Sequence, residues 1–211
     1  MVGVTAMMEL FFSAFVTFFV VIDPPGCAPI FAGLTAGASE AARRAMAVRA
    51  VVVSALILLL FALFGEPMLH GLGIELASFR IAGGIMLFLI ALEMVFEKRT
   101  QRREDRAAKV SADDVEDVSI FPMAMPMIAG PGSIATVMLL MARNDGIERS
   151  LVVAAALAAN LLLMLAALLA AGPLMRVLGT RIEAVITRLL GVLLAALAVQ
   201  FVVDGIGVAL G

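Results

Sequence analysis

An apolar run from Thr5 to about Thr35 is interrupted at its middle by Asp23-Pro24-Pro25-Gly26. Two adjacent prolines remove two backbone donors and clash with the preceding turn, so a helix entering from Met7 cannot pass through them unbroken. Gly26 is expected to let the chain change direction, and Asp23 puts a carboxylate at the break. In water this would be a loop between two short helices. In a bilayer, non-helical backbone is tolerated only where it is buried in protein or lines a polar cavity. Composition decides between the two settings. Of 211 residues, 63% are hydrophobic and 15% charged, against roughly 45–50% and 25% in ordinary soluble domains. The chain reads as a membrane protein.

Six apolar segments reach the roughly 20 residues that a span requires. They lie near 5–35 (broken at 23–26), 45–65, 77–96, 119–141 (broken at 130–132), 150–171 and 184–208. The expected fold is all-α and polytopic, with one three-helix unit over 1–97, a charged linker over 98–117 and a second unit over 118–211. The loops after segments one, three and five hold twelve of the 15 Lys and Arg; Arg80, Arg143 and Arg149 make up the three on the other side. The positive-inside bias then puts the linker in the cytoplasm and both termini outside. A re-entrant hairpin in the long first segment would change that parity. No Lys or Arg precedes the first apolar run, so no cleaved signal peptide is expected. The net charge of −2 says little about partners. The bilayer and a small solute are the partners expected; nothing suggests nucleic acid, and homo-oligomerisation stays open.

The two breaks define an internal repeat. Pro25-Gly26 opens one half and Pro131-Gly132 the other. Ser54 follows Pro25 at the interval by which Asn160 follows Pro131, Arg80 with Gly83 matches Arg188 with Gly191, and Glu93 matches Gln200. With three spans per half, the second half enters the membrane inverted. Inverted repeats with Gly/Pro-interrupted segments at matching positions point to a transporter site near the midplane.

At these residues the chain resembles the MarC family of integral membrane proteins, which includes SnatA-type neutral amino-acid transporters. The resemblance covers nearly the whole chain. It rests on Asp23-Pro24-Pro25-Gly26-Cys27-Ala28-Pro29-Ile30-Phe31 and on Pro122 and Pro126 leading into Ala129-Gly130-Pro131-Gly132. Phe79-Arg80-Ile81-Ala82-Gly83-Gly84 with Glu93, and Ala198-Val199-Gln200 with Asp204-Gly205, add to it. Cys27 departs from the Asn of many members. The resemblance implies a six-span bacterial inner-membrane protein that transports small solutes.

The candidate substrate-binding residues are Asp23, Pro25, Gly26, Cys27, Gly130, Pro131, Gly132, Ser133, Thr136 and Gln200, with Asp23 and Glu93 as candidates for ion coupling. Carboxylates inside spans are costly and by default mark ion or proton pathways; Asp23 can equally be the cap of the half-helix that follows it. Half-helices that begin near the midplane at both breaks would bring unpaired N–H groups to one cavity, which suits a carboxylate. Ser133 is open to the alternative of an ordinary first-turn residue. Glu93, about 20 Å along its helix from Arg80 at 1.5 Å per residue, is either a second coupling carboxylate or a surface group. Gln200 and Asn160 are of the type that bonds helix to helix, and Gly83, Gly84 and Gly191 of the type that lets helices approach closely. Arg80 and Arg188 read as interfacial anchors and His70 as a surface residue.

No nucleophile–base pair, metal spacing or phosphate loop is present, and Cys27 has no basic partner in sequence, so an enzyme is not expected. Nor is a cofactor, beyond H⁺ or Na⁺ as a coupling ion. The broken spans, the repeat and the intramembrane carboxylate point to secondary transport, and the resemblance implies that the solute is a small neutral amino acid such as glycine, alanine or serine. The alternatives are a passive pore for small solutes and a structural membrane protein.

Overall fold

The computed structural model describes residues 2–96, 98, 101–102, 117–144 and 146–210, apart from the side chains of 2, 174–181 and 183. The expected linker over 98–117 therefore lies outside the described residues, except at 98, 101, 102 and 117. In chain order the elements are α1 (Val2–Ile22), α2 (Pro24–Leu34), α3 (Glu40–Gly71), α4 (Leu76–Val95), α5 (Ser119–Ile128), α6 (Pro131–Arg143), α7 (Ile147–Leu169) and α8 (Ala171–Leu210). Among them are five spans long and apolar enough to cross a membrane, and a sixth if α5 and α6 count as one bent span. The protein is an all-helical polytopic membrane protein.

Local chemistry sets the helix ends. Ser39 accepts the Ala42 N–H at 3.2 Å and starts α3 with Glu40 in its first turn, a side-chain cap and a favourable charge at the positive helix end. At the other end of α3, Gly73 takes φ 69. Its N–H bonds His70 O at 3.1 Å while the Ile74 N–H bonds Leu69 O at 2.9 Å. That reversal needs a left-handed residue, which glycine supplies without a Cβ penalty. The chain then turns directly into α4.

Three boundaries differ from the sequence reading. The first segment shows no hairpin: α1 and α2 continue as one span, Gly3–Leu34. The residue that turns is Asp23 (φ 61, ψ 64), not Gly26, which lies inside the first turn of α2. Asp is among the few non-glycine residues that tolerate the left-handed region. In the fourth segment the irregular stretch begins well before 130. The backbone leaves helical dihedrals at Phe121 and Met125, each followed by a cis-proline, because a proline drives the residue before it toward extended geometry. α5 and α6 then meet at a bend of 52°. Finally, the last span is Ala184–Leu210, close to the expected 184–208, but its helix, α8, already starts at Ala171 and runs for 40 residues. Pro173 falls in its first turn, where the missing N–H would have had no intrahelical partner.

α4 and α8 form the most extensive contact of the fold, and they run antiparallel. A Cβ on Gly84 would meet Ala198 O and Val202 N, one on Gly191 would meet Met94 Cβ and Ala91 O, and one on Gly205 would meet Ala77 O. Ala77, Gly84 and Ala91 recur at seven-residue intervals, as do Gly191, Ala198 and Gly205. A heptad spacing keeps one seam facing the partner helix, and small residues on it let the backbones touch where no water is present to drive association. The close packing expected of Gly83, Gly84 and Gly191 is present. Beside this pair, α1 packs on α7, α2 on α7 and α8, and α3 on α5, α6 and α7. Phe18, Phe31, Leu58, Leu87, Ile128 and Leu139 are fully buried between them. On α3, Val52, Leu56, Leu59, Leu63 and Phe64 are exposed, a contiguous apolar surface of the kind that lipid covers.

The bundle has two charged ends. At one, Arg143 on α6 pairs with Asp204 on α8 at 3.0 Å, and Gly3, Glu148 and the start of α7 lie together. At the other, Arg49 pairs with Asp117 and Glu93 with Arg102.

Candidate functional site

The two breaks lie beside one another in the buried core. A Cβ placed on Gly132 would stand 3.6 Å from Val21 Cγ1, two residues before Asp23, and 2.6 Å from Ile90 Cδ1 on α4. Asp23 is 1% exposed and Cys27 not at all; Ser133 is 3% exposed. Gly26, Gly130 and Gly132 are buried, Pro25 is half-buried and Pro131 is exposed. The site is thus packed shut, with a carboxylate inside it.

The two half-helix ends are chemically unlike. At the start of α2, Pro24 and Pro25 carry no N–H at all. The next donor, Gly26 N, bonds Asp23 O at 3.1 Å and Asp23 Oδ1 at 3.2 Å, and Cys27 N bonds Asp23 O at 3.1 Å. Asp23 therefore caps α2, as one of its two readings held. The expectation of unpaired N–H groups at this end is not met, since every donor is either missing or satisfied. At the start of α6 only Pro131 lacks its donor. Gly130, the residue before the helix, provides no side-chain cap, and its carbonyl takes the Ile134 N–H at 3.0 Å. Among the described residues nothing accepts from the N–H groups of Gly132 and Ser133, and the Ser133 hydroxyl has no partner there either. A buried helix end with orphaned donors requires a partner from outside the helix, and partial positive charge gathers at the same place.

The other candidates are placed as follows. The Cys27 thiol donates to Ile22 O at 3.6 Å, and the Thr136 hydroxyl to Gly132 O at 2.8 Å, so both serve their own helix breaks. Glu93 lies one turn beyond Ile90 and is paired with Arg102. Gln200 is not brought to the breaks; it is exposed on α8, and its Nε2 donates to Asp204 Oδ1 at 2.7 Å. Asn160 links helices as its residue type suggested, its Nδ2 donating to Phe15 O on α1 at 2.8 Å. Its Oδ1 is buried without a partner among the described residues. Sequence reasoning did not find Val21, Leu87 and Ile90 as the walls of the site. They are aliphatic residues in aliphatic helices, with no local signal.

The model of the MarC family, described as integral membrane proteins, matches residues 8–210. A UPF0056 membrane protein of Archaeoglobus fulgidus is 34% identical over 203 residues, covering 96% of this chain and 95% of its own. The UPF0056 membrane protein YvbG of Bacillus subtilis is 35% identical over 205 residues, 95% of each chain. The UPF0056 inner membrane protein YhgN of Escherichia coli is 33% identical over 199 residues, 94% of this chain and 97% of its own. No solved structure matches the chain. On the match along nearly its full length, the chain belongs to the MarC family of integral membrane proteins.

Proposed function

We propose that this protein is a secondary transporter of small neutral amino acids in the inner membrane, coupled to H⁺ or Na⁺ through Asp23. Its architecture on this reading is six spans in two inverted units, α1–α4 and α5–α8, with both termini outside and the linker in the cytoplasm. At one constant offset Ser13, Phe15, Ile22, Pro25 and Gly26 match Ser119, Phe121, Ile128, Pro131 and Gly132. Exchanging the units carries the α1–α7 contact onto α5–α3, α2–α7 onto α6–α3 and α2–α8 onto α6–α4, and leaves α4–α8 unchanged.

The observation that carries the function is the pairing, in one closed core, of an uncapped helix N-terminus with a buried carboxylate. Gly132 and Ser133 N–H suit the carboxylate of an amino acid. Asp23, acceptor-only when ionised, suits its ammonium group or the coupling cation. Because Asp23 also holds the start of α2, neutralising it weakens a charge-assisted bond at the break, which ties occupancy to the geometry of the broken span. Glu93, one turn from Ile90, is the second carboxylate near this end. On this reading the closed core corresponds to the occluded state of an alternating-access cycle.

Purified protein in detergent is to be melted against glycine, alanine and serine, at two pH values and with or without Na⁺. A ligand at a hundredfold excess over its Kd adds about 2.7 kcal/mol, and the pH or Na⁺ dependence of the shift names the coupling ion. In proteoliposomes, Asp23→Asn should abolish accumulation while leaving part of the binding. Flux unaffected by Asp23→Asn would instead favour a passive pore, and a well-folded sample that responds to none of the amino acids sinks the substrate assignment.

A further inference from the structure

A cavity of about 360 Å³ opens at the end of the bundle that holds the N-terminus, and Glu9 of α1, Arg143 and Asn144 at the end of α6, and Arg149 of α7 are among the residues that line it. Its size is near the lower end of ligand sites, which run from about 300 to 1,000 Å³, so it suits a small solute. Charges of both signs meet there, brought together from three helices. Arg143 is held from behind: its guanidinium pairs with Asp204 at 3.0 Å, and Asp204 is tied in turn to Gln200 at 2.7 Å. Asn144, buried to 9% exposure, anchors its amide on Leu140 O at 2.9 Å. Arg149 and Glu9, by contrast, have no ion-pair or hydrogen-bond partner among the described residues. An unpaired guanidinium and an unpaired carboxylate facing one small cavity match the two ends of a zwitterion. The planar fork of Arg recognises carboxylates in bidentate fashion, and a carboxylate accepts an ammonium group.

We propose that this cavity is an outer docking site for a small zwitterionic amino acid, whose carboxylate meets Arg149 beside Arg143 and whose ammonium meets Glu9. This rests on the transporter reading and extends it from the closed core to the point of capture. Exposed contacts of this kind are weak and screened by salt. The site therefore raises capture of solute at low concentration without altering the turnover of the core.

The test uses the full chain in proteoliposomes, with labelled L-alanine, for wild type, Arg149→Gln, Arg149→Lys and Glu9→Gln. Propionate and ethylammonium are added as competitors that carry one charge each. Arg149→Gln should raise KM about fivefold, with kcat within twofold, and lose inhibition by propionate; Glu9→Gln should lose inhibition by ethylammonium. Arg149→Lys should restore part of the KM. A KM within 1.5-fold of wild type in both neutralising variants overturns the proposal while leaving the transporter reading intact. If wild type moves no alanine, the transporter reading fails by itself, and equilibrium dialysis of alanine against purified wild type and Arg149→Gln decides the cavity. Binding lost in the variant supports the site; binding equal in both, or absent from both, overturns it.

Discussion

Gly130→Ala and Gly132→Ala are two residues apart in one motif, yet the geometry predicts opposite outcomes. A Cβ on Gly130 would stand 2.3 Å from Pro126 O, about 1 Å inside the ~3.3 Å at which carbon and oxygen ordinarily meet. The obstruction is backbone. Pro126 O cannot retreat without shifting α5, whose Met123, Met127 and Ile128 are buried. Overpacking a rigid site costs about 1–3 kcal/mol, and an immovable carbonyl puts Gly130→Ala near 3. The backbone of Gly130 itself (φ −78, ψ 173) suits alanine, so the penalty is steric and not conformational. A Cβ on Gly132 meets Ile90 Cδ1 at 2.6 Å, the far end of a flexible side chain, and otherwise only ordinary contacts with Val21 and Leu87. That clash is relieved by a rotamer change, and alanine in a helix regains about 0.5–1 kcal/mol over glycine. Stability of Gly132→Ala should then stay within about 1 kcal/mol of wild type. At roughly 2–4 °C per kcal/mol for a chain of this size, thermal unfolding in detergent should separate the two variants by about 6–12 °C. The methyl of Gly132→Ala nonetheless crowds the orphaned N–H groups, so this stable variant should lose the amino-acid-dependent rise in melting temperature. Equal melting temperatures for the two variants would refute the steric argument. A full ligand response in Gly132→Ala would refute the placement of the carboxylate.

Three further substitutions probe other parts of the fold. Asp23→Asn keeps a side-chain acceptor and tolerates the left-handed region, so its stability should stay within about 1 kcal/mol of wild type. Asp23→Ala loses a cap worth about 1 kcal/mol and with it the short polar side chain whose local hydrogen bond lets Asp occupy that region, and its melting temperature should fall accordingly. Gly84→Ala pushes a methyl to 2.8 Å from Ala198 O and 3.0 Å from Val202 N and should cost about 2–3 kcal/mol, whereas Gly33→Ala, with nothing within 4 Å, should be neutral or slightly stabilising. Asn160→Ala removes the bond to Phe15 O, worth about 0.6 kcal/mol on average between membrane helices. Asn160→Asp sets an acceptor against that carbonyl and should be the more damaging of the two by urea or thermal unfolding at pH 8.

The spans, the two breaks and the small-residue seam were legible because each is written locally: apolar length, paired prolines, glycine at recurring positions. What the sequence did not disclose is which residue turns. Asp23-Pro24-Pro25-Gly26 offers two residues able to take positive φ, and glycine is the ordinary expectation. The helix after the prolines instead begins at once, which leaves Gly26 inside it and Asp23 as the only place to turn. The loss of helical geometry at Phe121 and Met125 is legible in principle, because Pro122 and Pro126 each push the residue before them toward extended backbone. Gln200 illustrates a different limit. Its repeat mate suggested the core, yet side chains one helix face apart have different neighbours, and Gln200 found Asp204.

A repeat in sequence also hides the feature on which the site depends. Matching Pro25-Gly26 to Pro131-Gly132 suggests two equivalent helix ends, but the residues just before them differ. Asp23 faces Ala129 in that alignment, and Pro24 faces Gly130. The first exchange provides or withholds a capping carboxylate; the second removes or permits the close approach to Pro126 O. So the first end closes on itself with a carboxyl group inside, and the second stays open with two donors unmet among the described residues. A pair of identical uncapped ends would offer positive potential twice and hold an anion. One capped by Asp and one left open offer both signs across a single core, which is what a neutral zwitterion requires. Restoring symmetry should therefore be more damaging to function than to fold. Ala129→Asp, which puts a carboxylate beside the open α6 end, should abolish the amino-acid response even where the helices still form, and an undiminished response in that variant would show that the asymmetry is incidental.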